Sequence, residues 1–209
     1  MKKIMIVNTS TDYFEGSSKA TGLWLGELVH FYDYFNSKNY QIDLFNINGG
    51  STPIDPVSLK PFMLDSMTKK YYNNESFMDM LSNSQSINEA KPAEYDVIYF
   101  TGGHGVMFDF PNNEAIQHAI NEVYNHGGIV AAVCHGIAAL LNVKDENGRY
   151  FIDNKEITGF SNTEEILANR KKIVPFIPYV KVDNRLVTGQ NPQSPKQVAQ
   201  AVDNILNKN

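Results

Sequence analysis

The side chain with the most chemistry to offer is that of the single cysteine, Cys134. It stands between two apolar segments, Ile129–Val133 and Ile137–Leu141, in the order expected of a strand that turns directly into a helix. Such a turn is a nucleophile elbow, which lifts its side chain above the sheet edge and favours a thiolate through the free N–H groups of the helix. A free cysteine is also a common small core residue. The pattern therefore favours a reactive thiol and leaves an inert one as the alternative.

A glycine-rich loop follows a second apolar run, because Val97–Phe100 leads directly into Thr101–Gly105. In doubly wound sheets, sites form where the loops at the carboxyl ends of strands meet. The backbone N–H of Gly103 suits an oxyanion hole beside the backbone N–H of His135, since glycine permits close approach. The alternative is a simple tight turn. The loop lacks the spacing of a dinucleotide-binding fingerprint, and the sequence contains no P-loop.

The histidines limit the metal chemistry that can be expected. They are His30, His104, His118, His126 and His135. A zinc site requires three or four convergent ligands, and no closely spaced pair of ligand residues is visible in the sequence. His118 and His126 flank a helix with a polar face, which favours solvated side chains. We therefore expect no metal ion at the site.

The composition narrows the class of partner. The chain has 209 residues, a net charge of −5 and one cysteine. One cysteine excludes an intramolecular disulfide framework and any multi-cysteine metal site. The acidic balance, with no basic cluster longer than Arg170–Lys172, argues against nucleic-acid or anionic-membrane binding. The expected partner is a small or neutral molecule.

The elements that must position these residues alternate along the chain. Apolar runs typical of buried strands are Ile4–Val7, Ile42–Phe45, Val97–Phe100, Ile129–Val133 and Leu186–Val187. Segments with helical spacing are Leu23–Phe35, Ala115–Tyr124, Ile137–Leu141 and Val198–Leu206. Strands that alternate with helices predict an α/β fold with a mostly parallel sheet covered by helices on both faces.

Two stretches interrupt this alternation. Residues from about 49 to 94 are predicted to be an insertion with its own helices, and residues from about 144 to 183 an elaborated region that includes a strand-like segment, Glu156–Phe160. Neither resembles an interdomain linker, so we expect one domain over residues 1–209. The apolar run that ends at Val7 is too short for an export signal, and no stretch approaches the ~20 apolar residues that span a bilayer. We expect a cytoplasmic protein without a membrane segment.

Three ordered motifs carry a resemblance to a known family. They are Thr101–Pro111, Ala131–Gly136 and Asp183–Pro192. Together they resemble the ThiJ/PfpI superfamily, and more narrowly its class I glutamine amidotransferase-like branch of glyoxalase III and chaperone proteins. The resemblance extends over nearly the whole chain and implies a flavodoxin-like α/β sandwich.

The resemblance implies conversion of methylglyoxal to D-lactate without glutathione, metal or another cofactor. Cys134 matches the nucleophile and His135 its partner, while Glu27 matches the carboxylate that reaches the cysteine from the first helix. Glu165 matches the acid that orients the histidine, with Glu164 as the alternative register. These residue types suit the reaction, because a thiolate adds to an aldehyde and a base near neutral pKa can then move a proton between the two carbons. A homodimer is also expected from the family.

Other functions remain open at this stage. The same cysteine would serve a deglycase, an oxidant sensor or a stress chaperone that holds unfolded client proteins. A cysteine peptidase is the least favoured, and a glutamine amidotransferase is disfavoured because no histidine follows His135. Relatives usually carry a further helical segment where here only Ile177 separates Val174–Phe176 from Pro178–Val180. This shortening predicts a more open pocket.

Overall fold

The computed structural model describes residues 1–169 and 178–208. Its strands are β1 (Lys3–Asn8), β2 (Gln41–Asn46), β3 (Gln85–Ser86), β4 (Val97–Phe100), β5 (Ile129–Val133), β6 (Val180–Asp183) and β7 (Leu186–Gly189). Its α-helices are α1 (Leu25–Asn36), α2 (Ser66–Tyr72), α3 (Glu75–Ser82), α4 (Val106–Asp109), α5 (Glu114–Asn125), α6 (Asn162–Asn169) and α7 (Pro195–Leu206). Short 3₁₀ helices cover Ile87–Glu89, Pro92–Glu94 and Cys134–Leu140.

The strands form one seven-stranded sheet in the order β3-β2-β1-β4-β5-β7-β6. All neighbouring strands are parallel except β6 and β7, which are antiparallel. The predicted mostly parallel α/β sheet is therefore confirmed. This strand order places the parallel strands β4 and β5 side by side near the centre of the sheet. The loops that follow them therefore open at the same sheet edge.

The central strands are buried on both faces, which explains their continuous apolar runs. In β1, Ile4 and Ile6 pack in one core, and Met5 and Val7 pack in the other. Side chains of α1, α2, α3 and α7 complete the first core, and those of α4, α5 and the 3₁₀ helix Cys134–Leu140 complete the second. Because successive strand side chains point to opposite faces, each run supplies both layers at once.

Two predicted helix boundaries differ from the structure. The first helix begins at Leu25 rather than Leu23, because the Leu23 N–H donates to the carbonyl oxygen of Pro53 and Leu23 forms an isolated bridge with Ile54. The segment predicted as a helix over Ile137–Leu141 lies mostly in the 3₁₀ helix Cys134–Leu140, which begins at the cysteine itself. A 3₁₀ helix of this length is a weak source of the dipole expected at the elbow.

The strand-like segment Glu156–Phe160 is not a strand, so that prediction was wrong. Both edges of β7 are occupied, one by β5 and the other by β6. The segment is instead held by side chains: the Glu156 N–H donates to Asp183 Oδ2 and the Thr158 N–H to Thr188 Oγ1, each at 3.0 Å. The strand β6, which sequence patterning missed, occupies that edge of β7, and its residues are half-buried or exposed.

The predicted insertion at about 49 to 94 contains α2, α3, β3 and two 3₁₀ helices. Phe77 and Leu81 of α3 join the same core as α1, and β3 extends the sheet beside β2. The assignment of residues 1–209 to one domain stays a prediction. The shortening predicted around Ile177 lies outside the described residues. Within the described part of the chain, no helix has the length and apolar character needed to cross a membrane.

Candidate active site

Cys134 lies where β5 ends and the 3₁₀ helix begins, and its backbone adopts a φ of 56°. This left-handed conformation is rare for a residue with a side chain and costs on the order of 1–3 kcal/mol, so it marks a functional turn. Gly136 makes the turn possible, because a Cβ there would lie 2.6 Å from the carbonyl oxygens of both Phe100 and Thr101. The residue Cys134 is 3% exposed. The predicted elbow is therefore present, with the sulfur at the floor of a cleft.

Glu27 reaches this sulfur from the first turn of α1 and is completely buried. The Gly102 N–H donates to Glu27 Oε2 at 2.7 Å. The other oxygen, Oε1, has no nitrogen or oxygen partner among the described residues, and the Cys134 thiol is the remaining group that interacts with the carboxyl. Burial raises the pKa of Glu27 to about 8, although the bonds from Cys134 and Gly102 partly oppose this shift. Glu27 is thus mostly protonated at neutral pH.

The resting cysteine is a thiol rather than the thiolate expected from the sequence. Burial raises the pKa of Cys134 well above its usual value, and a negative charge on the nearby Glu27, when that group is ionised, raises the pKa further. The backbone N–H of His135 points at the sulfur and lowers the pKa, but it does not offset the other two effects. A buried site of this size accommodates one negative charge poorly and two hardly at all. The thiol proton must therefore leave during the reaction.

The imidazole ring of His135 can accept that proton from the thiol. Its Nδ1 lies 3.4 Å from Cys134 Sγ, and its Nε2 lies 3.5 Å from Glu165 Oε2. Since a carboxylate only accepts, Nε2 carries the ring proton and Nδ1 is left to accept one from the thiol. Burial, with the nearby His104, lowers the pKa of His135 to about 4, while Glu165 opposes this. The ring is therefore neutral at pH 7 and able to act as a base.

The two acidic candidates have different surroundings, and Glu165 is the one that faces the histidine. Glu164 is buried and forms a capping box with Ser161. Its Oε2 accepts from the Ser161 N–H and hydroxyl, and its own N–H donates to Ser161 Oγ. Asn191 Nδ2 donates to Glu164 Oε1 at 3.0 Å. Burial acts to raise the pKa of Glu164, but these hydrogen bonds outweigh it and the pKa is lowered. Its oxygens are thus engaged in holding the start of α6.

His104 was not assigned a role from the sequence, yet it belongs to the cluster. Its Nε2 lies 3.0 Å from Glu165 Oε1, and its ring centroid lies 4.6 Å from that of His135. The signal that could have found it was the glycine-rich loop, which was interpreted through Gly103 alone. The ligand atoms of His104, His135 and Glu165 all lie within 4.8 Å of one another. These three residues could together hold a metal ion, and the expectation that no metal ion occupies the site stays a prediction.

The glycines of the loop after β4 allow three segments to meet. A Cβ on Gly102 would lie 2.6 Å from Glu27 Oε2, and one on Gly103 would lie 2.2 Å from the carbonyl oxygen of Gly22. Gly103 also has a φ of 103°, which favours glycine. The loop is thus packed tightly against the chain before α1. The role of the Gly103 and His135 N–H groups as an oxyanion hole stays a prediction.

A cleft of about 320 Å³ opens over the cysteine. Its described lining residues are His104, Met107, Cys134, His135, Ile137, Ala138, Leu141, Phe160, Ser161, Asn162 and Glu165. Among these described residues there is no lysine or arginine, and most of them are apolar. The cleft therefore suits a small uncharged molecule with an apolar end.

The sequence profile of the DJ-1/PfpI family matches residues 27–203, a span that includes every residue of this site. The chain belongs to the DJ-1/PfpI family. The resemblance to the ThiJ/PfpI superfamily is confirmed by this match.

Two curated relatives are similar to this DJ-1/PfpI chain over nearly their whole length. Glyoxalase 3 of Candida albicans is 30% identical, with 97% of each chain covered. The glutathione-independent glyoxalase HSP31 of Saccharomyces cerevisiae is 28% identical, with 99% of each chain covered. The narrower resemblance to glyoxalase III proteins is therefore also confirmed.

Two solved structures share the fold. The Rapid Encystment Protein 24 KDa of Francisella tularensis has a TM-score of 0.91 and 40% identity, covering 99% of each chain. Glyoxalase III of Candida albicans has a TM-score of 0.85 and 30% identity, covering 98% of this chain and 97% of its own. These similarities confirm the α/β fold of the family.

Proposed function

We propose that this chain is a glutathione-independent glyoxalase that converts 2-oxoaldehydes to 2-hydroxy acids, and methylglyoxal to D-lactate. The observation that carries the proposal is the position of Cys134, with the neutral base His135 on one side and the protonated acid Glu27 on the other. The names of the Candida and Saccharomyces relatives support the same activity. Cys134, His135, Glu27 and Glu165 are the proposed catalytic set.

The first step of the proposed reaction is addition of the thiol to the aldehyde carbon. His135 Nδ1 accepts the thiol proton as the sulfur bonds to carbon, and Glu165 stabilises the imidazolium through Nε2–H. The aldehyde oxygen takes the proton of the neutral acid Glu27, which gives a hemithioacetal and leaves Glu27 as a carboxylate. The backbone N–H groups of Gly103 and His135 are proposed to stabilise that oxygen while it is negative.

The second step moves hydrogen between the two carbons. Glu27, now a carboxylate, removes the proton from the former aldehyde carbon while the His135 imidazolium protonates the ketone oxygen, which gives an enediol. Glu27 then returns the proton to the neighbouring carbon and His135 takes the proton of the first hydroxyl, which gives a thioester. Glu27 suits this step better than His135. A general base works best when its pKa lies near the operating pH, and the pKa of Glu27 is about 8. Water then hydrolyses the thioester, releasing the 2-hydroxy acid and restoring the thiol. Overall, one water is added to methylglyoxal.

The test is production of D-lactate from methylglyoxal in chelator and without added glutathione, measured with a stereospecific lactate assay. Cys134→Ala is expected to lower kcat/KM by at least about 10³-fold, because the sequence has one cysteine and alanine cannot form the hemithioacetal. His118→Ala serves as the matched histidine control, since His118 lies outside the cleft on α5. Product formation by Cys134→Ala at the wild-type rate would refute the mechanism.

We propose holding of unfolded client proteins as a second function, supported by exposed apolar side chains near the cleft. Met107 and Phe108 are 45% and 42% exposed, and Leu141 is 44% exposed. Met107→Ser with Phe108→Ser is expected to weaken suppression of client aggregation. Unchanged suppression of client aggregation would count against this surface.

Two further expectations have their own tests. Comparing rates on free methylglyoxal and on preformed adducts would separate glyoxalase from deglycase activity. Sedimentation would test the expected homodimer.

A further inference from the structure

The cluster of His104, His135 and Glu165 has the composition of a transition-metal site. His104 follows β4, His135 follows β5 and Glu165 lies in the first turn of α6, so three separate elements supply the ligand atoms. Two imidazoles and one carboxylate are the three protein ligands of a common type of zinc site, in which the fourth position stays open. The cluster lines the cleft, so an ion can reach it from solvent.

The distances are close to what an ion requires. Bonds of 2.0–2.2 Å in a tetrahedral site place neighbouring ligand atoms roughly 3.3–3.6 Å apart. Glu165 lies 3.0 Å from His104 Nε2 and 3.5 Å from His135 Nε2, and the whole group fits within 4.8 Å. The side chains of His104, His135 and Glu165 are 31%, 15% and 35% exposed, so small side-chain rotations at the wall of the cleft can close the remaining gap.

We propose that His104, His135 and Glu165 bind a divalent transition-metal ion, with Zn²⁺ as the preferred ion, and that the bound ion reversibly inhibits the enzyme. The Cys134 sulfur contacts the opposite edge of the His135 ring, at Nδ1, and takes no part in the site. The ligand set is thus two imidazole nitrogens and one carboxylate oxygen, without sulfur.

The inhibition follows from the histidine tautomer and rests on the proposed function. Without an ion, Nε2 of His135 carries the proton and Nδ1 accepts from the thiol. An ion at Nε2 displaces that proton, so the neutral ring must carry its proton on Nδ1. Nδ1 then donates toward the sulfur and cannot accept the thiol proton. The ion also takes up Glu165, which otherwise stabilises the imidazolium.

Binding is tested without any activity measurement, by titrating the metal-free protein with Co²⁺ and recording its visible spectrum, then displacing Co²⁺ with Zn²⁺. One equivalent is expected to bind, with a d–d spectrum of tetrahedral type and no thiolate charge-transfer band. Cys134→Ser is expected to bind equally well. His104→Ala is expected to weaken binding by at least about 10-fold, the lower end of the effect of losing even an outer-sphere partner.

Controls keep the result interpretable. Glu165→Gln gives a second variant with one ligand changed, in case His104→Ala does not fold, and His118→Ala is expected to bind as the wild type does. The proposal is overturned if no ion binds, if binding is lost in Cys134→Ser, or if both ligand variants bind unchanged. Zn²⁺ is expected to lower D-lactate formation in proportion to site occupancy, with recovery in chelator. Full turnover at saturating Zn²⁺ would overturn the inhibitory role, whereas absence of turnover in the metal-free protein would instead count against the proposed function.

Discussion

Cys134 and Glu27 share one buried space in which an acid and a thiol both resist ionisation. Burial raises the pKa of each, so the resting site is uncharged around the sulfur. This arrangement suits a substrate that is itself neutral, because no fixed charge has to be displaced when it enters. It also argues against an oxidant sensor, since sensors rely on an accessible thiolate. A chain with one cysteine has no internal partner to resolve an oxidised sulfur.

The raised pKa of Glu27 predicts how stability depends on pH. Its folded-state pKa of about 8 lies above the ordinary value of 4.5, so the folded state binds the proton more tightly than the unfolded state does. The favourable contribution of the protonated form is therefore full below pH 4.5 and is lost as the pH rises through about 8. Glu27→Gln, a neutral isostere, is expected to flatten this loss, which amounts to a few kcal/mol for the wild type.

Urea denaturation at a series of pH values measures this effect, with the exposed Glu146→Gln as the matched control. The control is expected to follow the wild-type curve. If Glu27→Gln lost stability between pH 5 and pH 9 as steeply as the wild type, Glu27 would not be the group responsible.

At the scale of elements, two glycines near the site differ in whether a side chain could replace them. Gly136 lies in the 3₁₀ helix after β5, where a Cβ would lie 2.6 Å from two carbonyl oxygens. Gly26 lies in α1 beside Glu27, where the nearest atom to a Cβ would be Thr68 Oγ1 at 3.6 Å. Backbone atoms cannot yield as a flexible side chain can. The turn therefore requires glycine, whereas the helix does not.

Gly136→Ala and Gly26→Ala form a matched pair of substitutions. Gly136→Ala is expected to destabilise the protein by about 2 kcal/mol or more and to lower turnover, because the elbow must shift. Gly26→Ala is expected to stabilise it by up to about 1 kcal/mol, because alanine favours helix. Thermal and urea unfolding measure both values. Equal effects of the two substitutions would contradict the distinction between them.

At the scale of the whole molecule, one carboxylate joins the first and last helices. Asp203 of α7 accepts hydrogen bonds from the hydroxyls of Tyr34 and Tyr40, each at 3.1 Å, and pairs with Lys38. Tyr34 belongs to α1, which also carries Glu27 at its other end. The network therefore fixes the far end of the helix that supplies a proposed catalytic group.

Asp203→Ala is expected to lower the free energy of unfolding by about 1–3 kcal/mol, because partly buried hydroxyls lose their acceptor. The kcat/KM for methylglyoxal is expected to remain close to the wild-type value, since Glu27 is held locally by Gly102. Chemical denaturation and steady-state kinetics provide the two readouts. Asp153→Ala, at an exposed loop position, is the control. A loss of activity without a loss of stability would reverse this assignment.

The sequence predicted the parts of the molecule that local chemistry determines. Long apolar runs identified β1, β4 and β5, because a strand buried on both faces requires consecutive apolar residues. The apolar segments on both sides of Cys134 identified the turn there, because the chain passes directly from a strand into a helical segment. Patterning missed β6, whose half-buried residues have no such mark, and wrongly assigned a strand to Glu156–Phe160, where ladder positions depend on distant partners. His104 escaped notice because its partner Glu165 lies 61 positions away.

The central position of β5 has a consequence for how the protein is made. Its outer neighbour β7 and the helix α7 above it come from the last part of the chain, so during synthesis β5 remains an open edge until residues Leu186–Gly189 emerge. A half-made chain thus presents an apolar strand with unpaired backbone groups, next to the only thiol. Pairings between distant segments also form slowly. We therefore expect this sulfur to be more accessible to oxidants, and this strand more prone to aggregation, in the nascent chain than in the folded protein.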